Sequence, residues 1–334
     1  MRRLRVLTWH VHGSYLQYLA RAPHDFHLPV KPGRPQGYAG RGHPAWPQNL
    51  IEVDADDVPR LDLDLVLSQS HRNWLEDRPA LLAEYQLALP QLHLEHDPPR
   101  ESPTDTRHPA AGEADLIVHC TPFNALMWDC GETPTAVVDH GVPDRADVRW
   151  TGELERGLVV VNHLAKRGRR LGLDVFERVR AQVPIDLVGM GSEELGGLGE
   201  IPHADLPAFA ARYRFLFNPI RWTSLGLAVL EAMMLGMPVV ALATTEYAAA
   251  IENGVSGYVD TDVDALVARM HELLADPNHA ARLGAGARAR TQQRFSIERF
   301  AADWDRVLRE AASAATQRAA SPAARAASRL PRRR

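Results

Sequence analysis

Nine short apolar runs, separated by stretches of helical periodicity, set the strongest constraint on this chain. Strands are read at Leu4–Trp9, Leu63–Ser68, Gln91–Glu95, Leu116–Cys120, Ala136–Val138, Leu158–Asn162, Ile185–Val188, Arg214–Phe217 and Val239–Leu242. Short runs of this kind suit a parallel sheet covered on both faces. Helical patterns at Trp74–Leu89, Leu173–Gln182, Leu227–Met234 and Ile297–Ala312 fall between or after them. Alternation of this kind in both halves argues for α/β architecture. No repeat of fixed period is present.

A chain of 334 residues at about 100–200 residues per domain divides into two. The stretch Asp139–Arg156 is the best linker. It leaves residues 1–145 and 155–296 as domains of similar size, and places residues 316–334 in a disordered basic tail. Two Pro/Gly-rich segments, Pro29–Pro47 and Asp97–Gly112, interrupt the first half, and loops of that length are often functional.

Composition excludes several classes. With 45% hydrophobic and 24% charged residues the chain is neither disordered nor collagen-like. Cys120 and Cys130 cannot form a disulfide framework, and no CxxC pair points to zinc, so a reduced, cytoplasmic setting is expected. The N-terminal apolar stretch is broken by His10 and His12, unlike a signal peptide. The longest apolar stretch, Leu225–Ala243, holds Glu231, Gly236 and Pro238 and reads as a buried helix and strand rather than a membrane span. Net charge is −4, yet the tail carries six arginines and no acid, leaving −10 on residues 1–315. That tail admits weak contact with an anionic membrane surface, or is simply solvated. A basic surface interleaved with aromatics is missing elsewhere, so specific nucleic-acid binding is not expected.

Three segments carry chemistry. In Asn218–Thr245, Thr223 or Ser224 can cap a helix starting near Leu225, and Gly236 with Pro238 ends it. A helix N-terminus offers unpaired N–H groups to a phosphate. Glu231 lies about two turns in, and a carboxylate there needs a ribose, a backbone cap or an arginine to satisfy it. The second segment, Asn162–Gly172, places Lys166, Arg167, Arg169 and Arg170 at the end of a strand, either as a phosphate grip or as a solvated basic loop. The third is His12-Gly13-Ser14, a turn between a strand and a helix that could approach a phosphate or sugar.

The C-terminal half resembles the retaining GT-B glycosyltransferases of glycosyltransferase family 4. The matching run is Thr223-Ser224-Leu225-Gly226-Leu227-Ala228-Val229-Leu230-Glu231-Ala232-Met233, followed by Gly236-Met237-Pro238-Val239-Val240 and by Glu252-Asn253-Gly254-Val255-Ser256-Gly257-Tyr258. Val118–Asn124 and His140–Asp144 are similar to further family segments. The likeness covers Leu116 to about Trp304 and only loosely the first 90 residues. It implies two Rossmann-like parallel-sheet domains facing a cleft, with the last helix crossing back onto the first domain. It also implies transfer of a sugar from a nucleoside-diphosphate sugar to a glycan, lipid or small-molecule acceptor, with retention and with neither cofactor nor metal.

By the same resemblance Glu231 would hold the donor ribose, and Ser224, Leu225 and Gly226 would face the diphosphate. Arg167, with Lys166 beside it and Arg170 as the third choice, would take the phosphate-clamp role. Gly13 and Ser14 would approach the donor. His96, in Leu92-His93-Leu94-Glu95-His96-Asp97, would orient the reacting sugar, so that His96 and Arg167 form the catalytic pair. Two departures stand out. Thr223 occupies the position, eight residues before Glu231, where family members usually carry an acid that contacts the donor sugar. The clamp itself has no clean match. A catalytically silent nucleotide-sugar binder or partner of a transferase is therefore an alternative. A nucleotide-sugar epimerase would keep the fold, whereas a phosphorylase is disfavoured because this chain shows no lysine placed for pyridoxal phosphate. A metal-dependent hydrolase built on His10, His12, His93, His96, His119 and Asp139-His140 is a further alternative.

Overall fold

The computed structural model describes residues 2–44 and 46–320, with side chains up to residue 314. The chain forms two compact units. One comprises residues 1–120, 124–138 and the chain from Phe300 onward, the other residues 121–123 and 139–299.

The first unit holds a seven-stranded sheet: β1 (Arg5–Thr8), β2 (Asp25–Val30), β3 (Leu50–Asp54), β4 (Leu65–Ser68), β5 (Gln91–Glu95), β6 (Leu116–His119) and β7 (Thr135–Val137). Every pairing is parallel and the order is β3-β2-β1-β4-β5-β6-β7. All residues of β4 and β5 are buried, as expected for central strands covered on both faces. The second unit has a five-stranded parallel sheet of β8 (Leu154–Val160), β9 (Ile185–Val188), β10 (Tyr213–Asn218), β11 (Val239–Leu242) and β12 (Gly257–Asp260), in the order β12-β11-β10-β8-β9. The expected parallel α/β architecture is found in both halves.

Three strands escaped the sequence reading. β2 contains Pro29, which has no N–H for a ladder and argues against a strand with neighbours on both sides. β3 is an edge strand with only one fully buried residue, and β12 is four residues opened by Gly257. The helix expected at Trp74–Leu89 is instead three short pieces: a π-turn at Asn73–Asp77, then Arg78–Leu81 and Glu84–Leu87. Its apolar side is pinned piecemeal, by Arg78 stacked 3.7 Å over the Trp74 ring and by the Gln86 amide donating to the carbonyls of Val58 and Leu61.

In the second unit a buried arginine replaces an apolar core residue. Arg214 on β10 donates from Nε to the Gly152 carbonyl at 2.8 Å and from Nη1 to the Leu274 carbonyl at 2.9 Å. It thereby caps the C-terminal carbonyls of helix Val263–Ala275, where positive charge is favoured. The final helix, Ile297–Ala320, lays Phe300, Trp304, Val307 and Leu308 into the core, all buried. The Trp304 indole donates to Tyr15 Oη at 3.2 Å and the Tyr15 ring meets Phe300 edge-on at 5.4 Å. That helix carries the backbone through residues 316–320, which the sequence reading placed in the tail. Residues 321–334 lie outside the described residues. Among the described residues no helix is long and apolar enough to cross a membrane.

Candidate functional site

In an open parallel sheet ligands bind beyond the carboxyl ends of the strands, where the strand order reverses. The second sheet reverses between β8 and β10. The loops that leave these two strands are the Asn162–Gly172 and Pro219–Gly226 segments singled out above, and they are locked together. The Arg170 carbonyl accepts from the backbone N–H groups of both Arg221 and Trp222 at 3.1 Å. Arg221 donates to Asp174 at 2.5 and 2.8 Å, and Arg169 reaches the same carboxylate at 2.5 Å. The hydrogen bond from Arg221 holds the Asp174 carboxyl below its usual range against the opposing effect of burial. Gly172 is the closest point of approach. A Cβ built there would lie 1.9 Å from the Pro219 carbonyl oxygen, and its φ of +81° is left-handed, a conformation that glycine alone adopts readily.

This lock divides the basic cluster. Arg169 is committed to Asp174, and Arg170 donates to the Trp222 carbonyl at 3.4 Å. Lys166 and Arg167, on the single turn Leu164–Arg167, are exposed. Neither pairs with a carboxylate among the described residues. The turn is entered through His163, which holds φ +54° in the left-handed region, and its N–H bonds the Met190 carbonyl at 2.7 Å.

The helix after β10 starts at Leu227, not near Leu225. Gly226 rather than Thr223 or Ser224 stands at the N-cap, with no side-chain cap. The reason is Tyr247, whose buried Oη accepts the Gly226 N–H at 3.2 Å. This draws residues 223–225 into the preceding loop. Burial pushes the Tyr247 phenol up to about 12. No side chain caps helix Leu227–Leu235; the Val229 N–H bonds the Gly226 carbonyl at 3.1 Å, and those of Leu227 and Ala228 are left to an anion. Glu231 lies five residues past Gly226, with its side chain 18% exposed. Its Oε1 lies 3.2 Å from Nε2 of His203. The hydrogen bond to Glu231 raises the His203 pKa, with burial opposing it. One partner of Glu231 in the structure is therefore a histidine, which the sequence reading did not consider. Its donor comes from a segment 28 residues away, with no spacing signal to reveal it.

The first sheet reverses between β1 and β4, and the carboxyl ends of β1, β4 and β5 surround a cavity of about 650 Å³. His12, Gln69, His71, Glu95, His96 and Trp128 are among its lining residues. His96 packs against the rings of His12 at 4.4 Å and Tyr15 at 4.8 Å, with Nε2 3.3 Å from Gln69 Oε1. Gly13 and Ser14 open the seven-residue helix Gly13–Leu19, and a Cβ on Gly13 would sit 3.4 Å from His10 and Trp46.

Beneath that cavity, His71, His93, Glu95 and His108 converge, their candidate ligand atoms all within 4.8 Å of one another. Burial alone would raise the Glu95 carboxyl, yet hydrogen bonds from His108 and His71 hold it well below its ordinary value. Burial pushes His93 down to about 3 and His119 to about 4, so both are neutral at pH 7. Of the histidines proposed for a hydrolase metal, only His93 is in the cluster. His10 Nδ1 sits 2.6 Å from the Gly40 carbonyl and His12 packs on His96. His93 and Glu95 share one face of β5, a period-two signal. His71 and His108 were not singled out, because the β4–β5 pairing brings His71 there and the bridge of Arg107 to Asp129 brings His108.

Residues 191–290 match the family model for glycosyl transferases group 1. Sucrose-phosphate synthase from Thermosynechococcus elongatus superposes with a TM-score of 0.70 at 18% identity, covering 94% of this chain and all of its own. HepE from Anabaena, solved with UDP-glucose, gives a TM-score of 0.71 at 15% identity over 92% of this chain and 100% of its own. The fold is GT-B. A glycosyltransferase from Rickettsia africae gives 0.64 at 11% identity over 93% of this chain. No curated protein matches by sequence. The family model covers the part of the GT-B chain that runs from just after β9, through the uncapped helix and Glu231, into helix Pro277–Arg294.

Proposed function

We propose that this chain is a retaining glycosyltransferase that moves a sugar from a nucleoside-diphosphate sugar to an acceptor hydroxyl. The observation that carries the reading is the β8–β10 reversal point, where a basic turn, an uncapped helix N-terminus and a partly buried carboxylate share one sheet edge. That is the set a nucleoside diphosphate requires. Arg167 and Lys166 meet phosphate oxygens, the N–H groups at Leu227 and Ala228 receive the diphosphate, and Glu231 accepts from ribose hydroxyls. Ser224 and Leu225 line the approach to the helix, and Thr223 offers a hydroxyl near the sugar. The family-model match over this segment supports the reading, as do GT-B neighbours solved with UDP and UDP-glucose.

In the reaction the bond between the anomeric carbon and the diphosphate oxygen breaks, and the acceptor oxygen bonds to that carbon on the same face. The acceptor's proton passes to the departing diphosphate. Charge growing on the diphosphate is met by Arg167 and by the helix N-terminus, which supply electrostatic stabilisation without a cofactor. The cavity of the first unit is proposed for the acceptor, and His96, which lines it, to orient the reacting sugar by a hydrogen bond. Gly13 and Ser14 form part of the same strand-end surface.

The test is calorimetric titration of the purified chain with UDP, GDP and ADP, repeated on Glu231→Ala, followed by a donor-consumption assay. Selective binding of one nucleotide, weakened at least about tenfold in the variant, is expected, since a hydrogen bond to a charged group is worth about 1.5–3 kcal/mol. Binding by none, or binding indifferent to Glu231, overturns the site. Binding without donor consumption under any acceptor identifies a silent binder.

A further inference from the structure

We infer that the first unit binds a divalent transition-metal ion of the zinc class through His71, His93 and Glu95, at the floor of its cavity. The inference does not depend on glycosyl transfer, because it concerns the other sheet and a different ligand chemistry.

The decisive group is His93. Its side chain is fully buried on β5, and neither ring nitrogen has a hydrogen-bond partner among the described residues. Buried imidazoles of this kind are costly and uncommon. Its Nε2 points at Glu95 Oε2 from 3.8 Å, too long for a hydrogen bond. His71 Nε2 approaches the same oxygen at 2.9 Å. Ligands about 2.0–2.1 Å from a tetrahedral zinc stand roughly 3.3 Å apart, and these two separations bracket that spacing. Two imidazoles and a carboxylate form a donor set that zinc and its neighbours prefer to magnesium or calcium.

His108 has a different part. The Ala110 N–H donates to His108 Nδ1 at 3.1 Å, so the ring hydrogen sits on Nε2. From there it donates to Glu95 Oε2 at 3.2 Å. Glu95 Oε1 accepts the Asp97 N–H at 2.9 Å. His108 is thus a positioning residue that aims the carboxylate. The ligand set stays at three, and His71 and Glu95 border the cavity, so the fourth position is left to water or to a molecule held there. His71 is also half-exposed, which provides an entry path.

The test is titration of the untagged full chain with Zn²⁺ against a chromophoric chelator, with Co²⁺ absorption as the report on geometry. One equivalent per chain is expected, with tetrahedral or five-coordinate Co²⁺ bands. His71→Ala, at a half-exposed position that the fold tolerates, should weaken binding more than about 100-fold. His108→Gln should weaken it about 10- to 100-fold, as outer-shell partners do. His271→Ala, at an exposed position elsewhere, should change nothing. Metal binding should also raise the melting temperature of the wild-type chain and not that of His71→Ala. Absence of stoichiometric binding, or binding unchanged in His71→Ala, overturns the inference and leaves the cluster as a hydrogen-bonded carboxylate. The nucleotide titration above is read on the other unit, so either proposal can fail while the other stands.

Discussion

Glu231 and His203 face each other at 3.2 Å beside the uncapped helix, and the proton they share makes the proposed ribose site sensitive to pH. The Glu231 bond raises the His203 pKa. The pair's contribution to stability is therefore fully present below the ordinary histidine value of about 6.5 and is lost as pH rises through the raised folded value. A ribose that takes Glu231 draws that acceptor from His203 and lowers its hold on the proton. Nucleoside-diphosphate binding should tighten as pH rises through that window. Calorimetry in two buffers of different ionisation enthalpy should show proton release, abolished in His203→Ala. Zero release in the wild-type chain would mean that the ligand does not displace His203.

Arg167 and Arg169 stand two residues apart and should behave differently. Arg169 is held by Asp174, whereas the Arg167 guanidinium is exposed and has no carboxylate partner among the described residues. Arg167→Ala should change stability by less than about 0.5 kcal/mol while weakening nucleoside-diphosphate binding about 10- to 100-fold. Arg169→Ala loses an exposed pair worth about 0–1 kcal/mol and should bind within about twofold of wild type. Equal losses in the two variants would point to a general basic surface rather than a placed phosphate contact.

Much of this site was legible before the structure, and the part that was not has a common cause. Gln91–Glu95 was placed to the residue because Leu92 and Leu94 alternate with polar residues, and Ile185–Val188 because its apolar residues lie between Pro184 and Gly189. The helix carrying Glu231 was visible from its stop signals at Gly236 and Pro238. Its start was misplaced by two residues because the capping partner is Tyr247, twenty-one residues downstream. His203 and His71 were invisible for the same reason. Each acquires its role from a neighbour across a loop or a sheet, and periodicity reports only which face of an element a residue occupies.

Gly172 joins the two loops of the proposed nucleotide site, so its substitution tests whether their lock matters. Gly172→Ala forces a methyl group to within 1.9 Å of the Pro219 carbonyl oxygen unless the loops part, and it imposes a side chain at φ +81°. The dihedral alone costs about 1–2 kcal/mol, and the clash adds to it. A loss of more than about 2 kcal/mol in chemical denaturation is expected, together with weakened nucleotide binding. Lost stability with intact binding would show that the lock serves only the fold.

Trp304 anchors the last helix to the first unit. Its ring is fully buried, its indole N–H bonds Tyr15 Oη, and the adjacent Asp305 places Oδ1 3.0 Å from His24 Nε2. Removing a buried tryptophan side chain costs about 3–5 kcal/mol. Trp304→Ala should therefore lower the urea midpoint of the first unit and expose the Tyr15 face. The second unit, whose sheet Trp304 does not enter, should keep its own transition. Two separate transitions are expected in the variant, because a chain of two units need not unfold in one step. Glu310→Ala, on the same helix with its side chain 65% exposed, serves as the control and should shift neither. An unchanged first transition in Trp304→Ala would mean that the helix contributes nothing to that unit in solution.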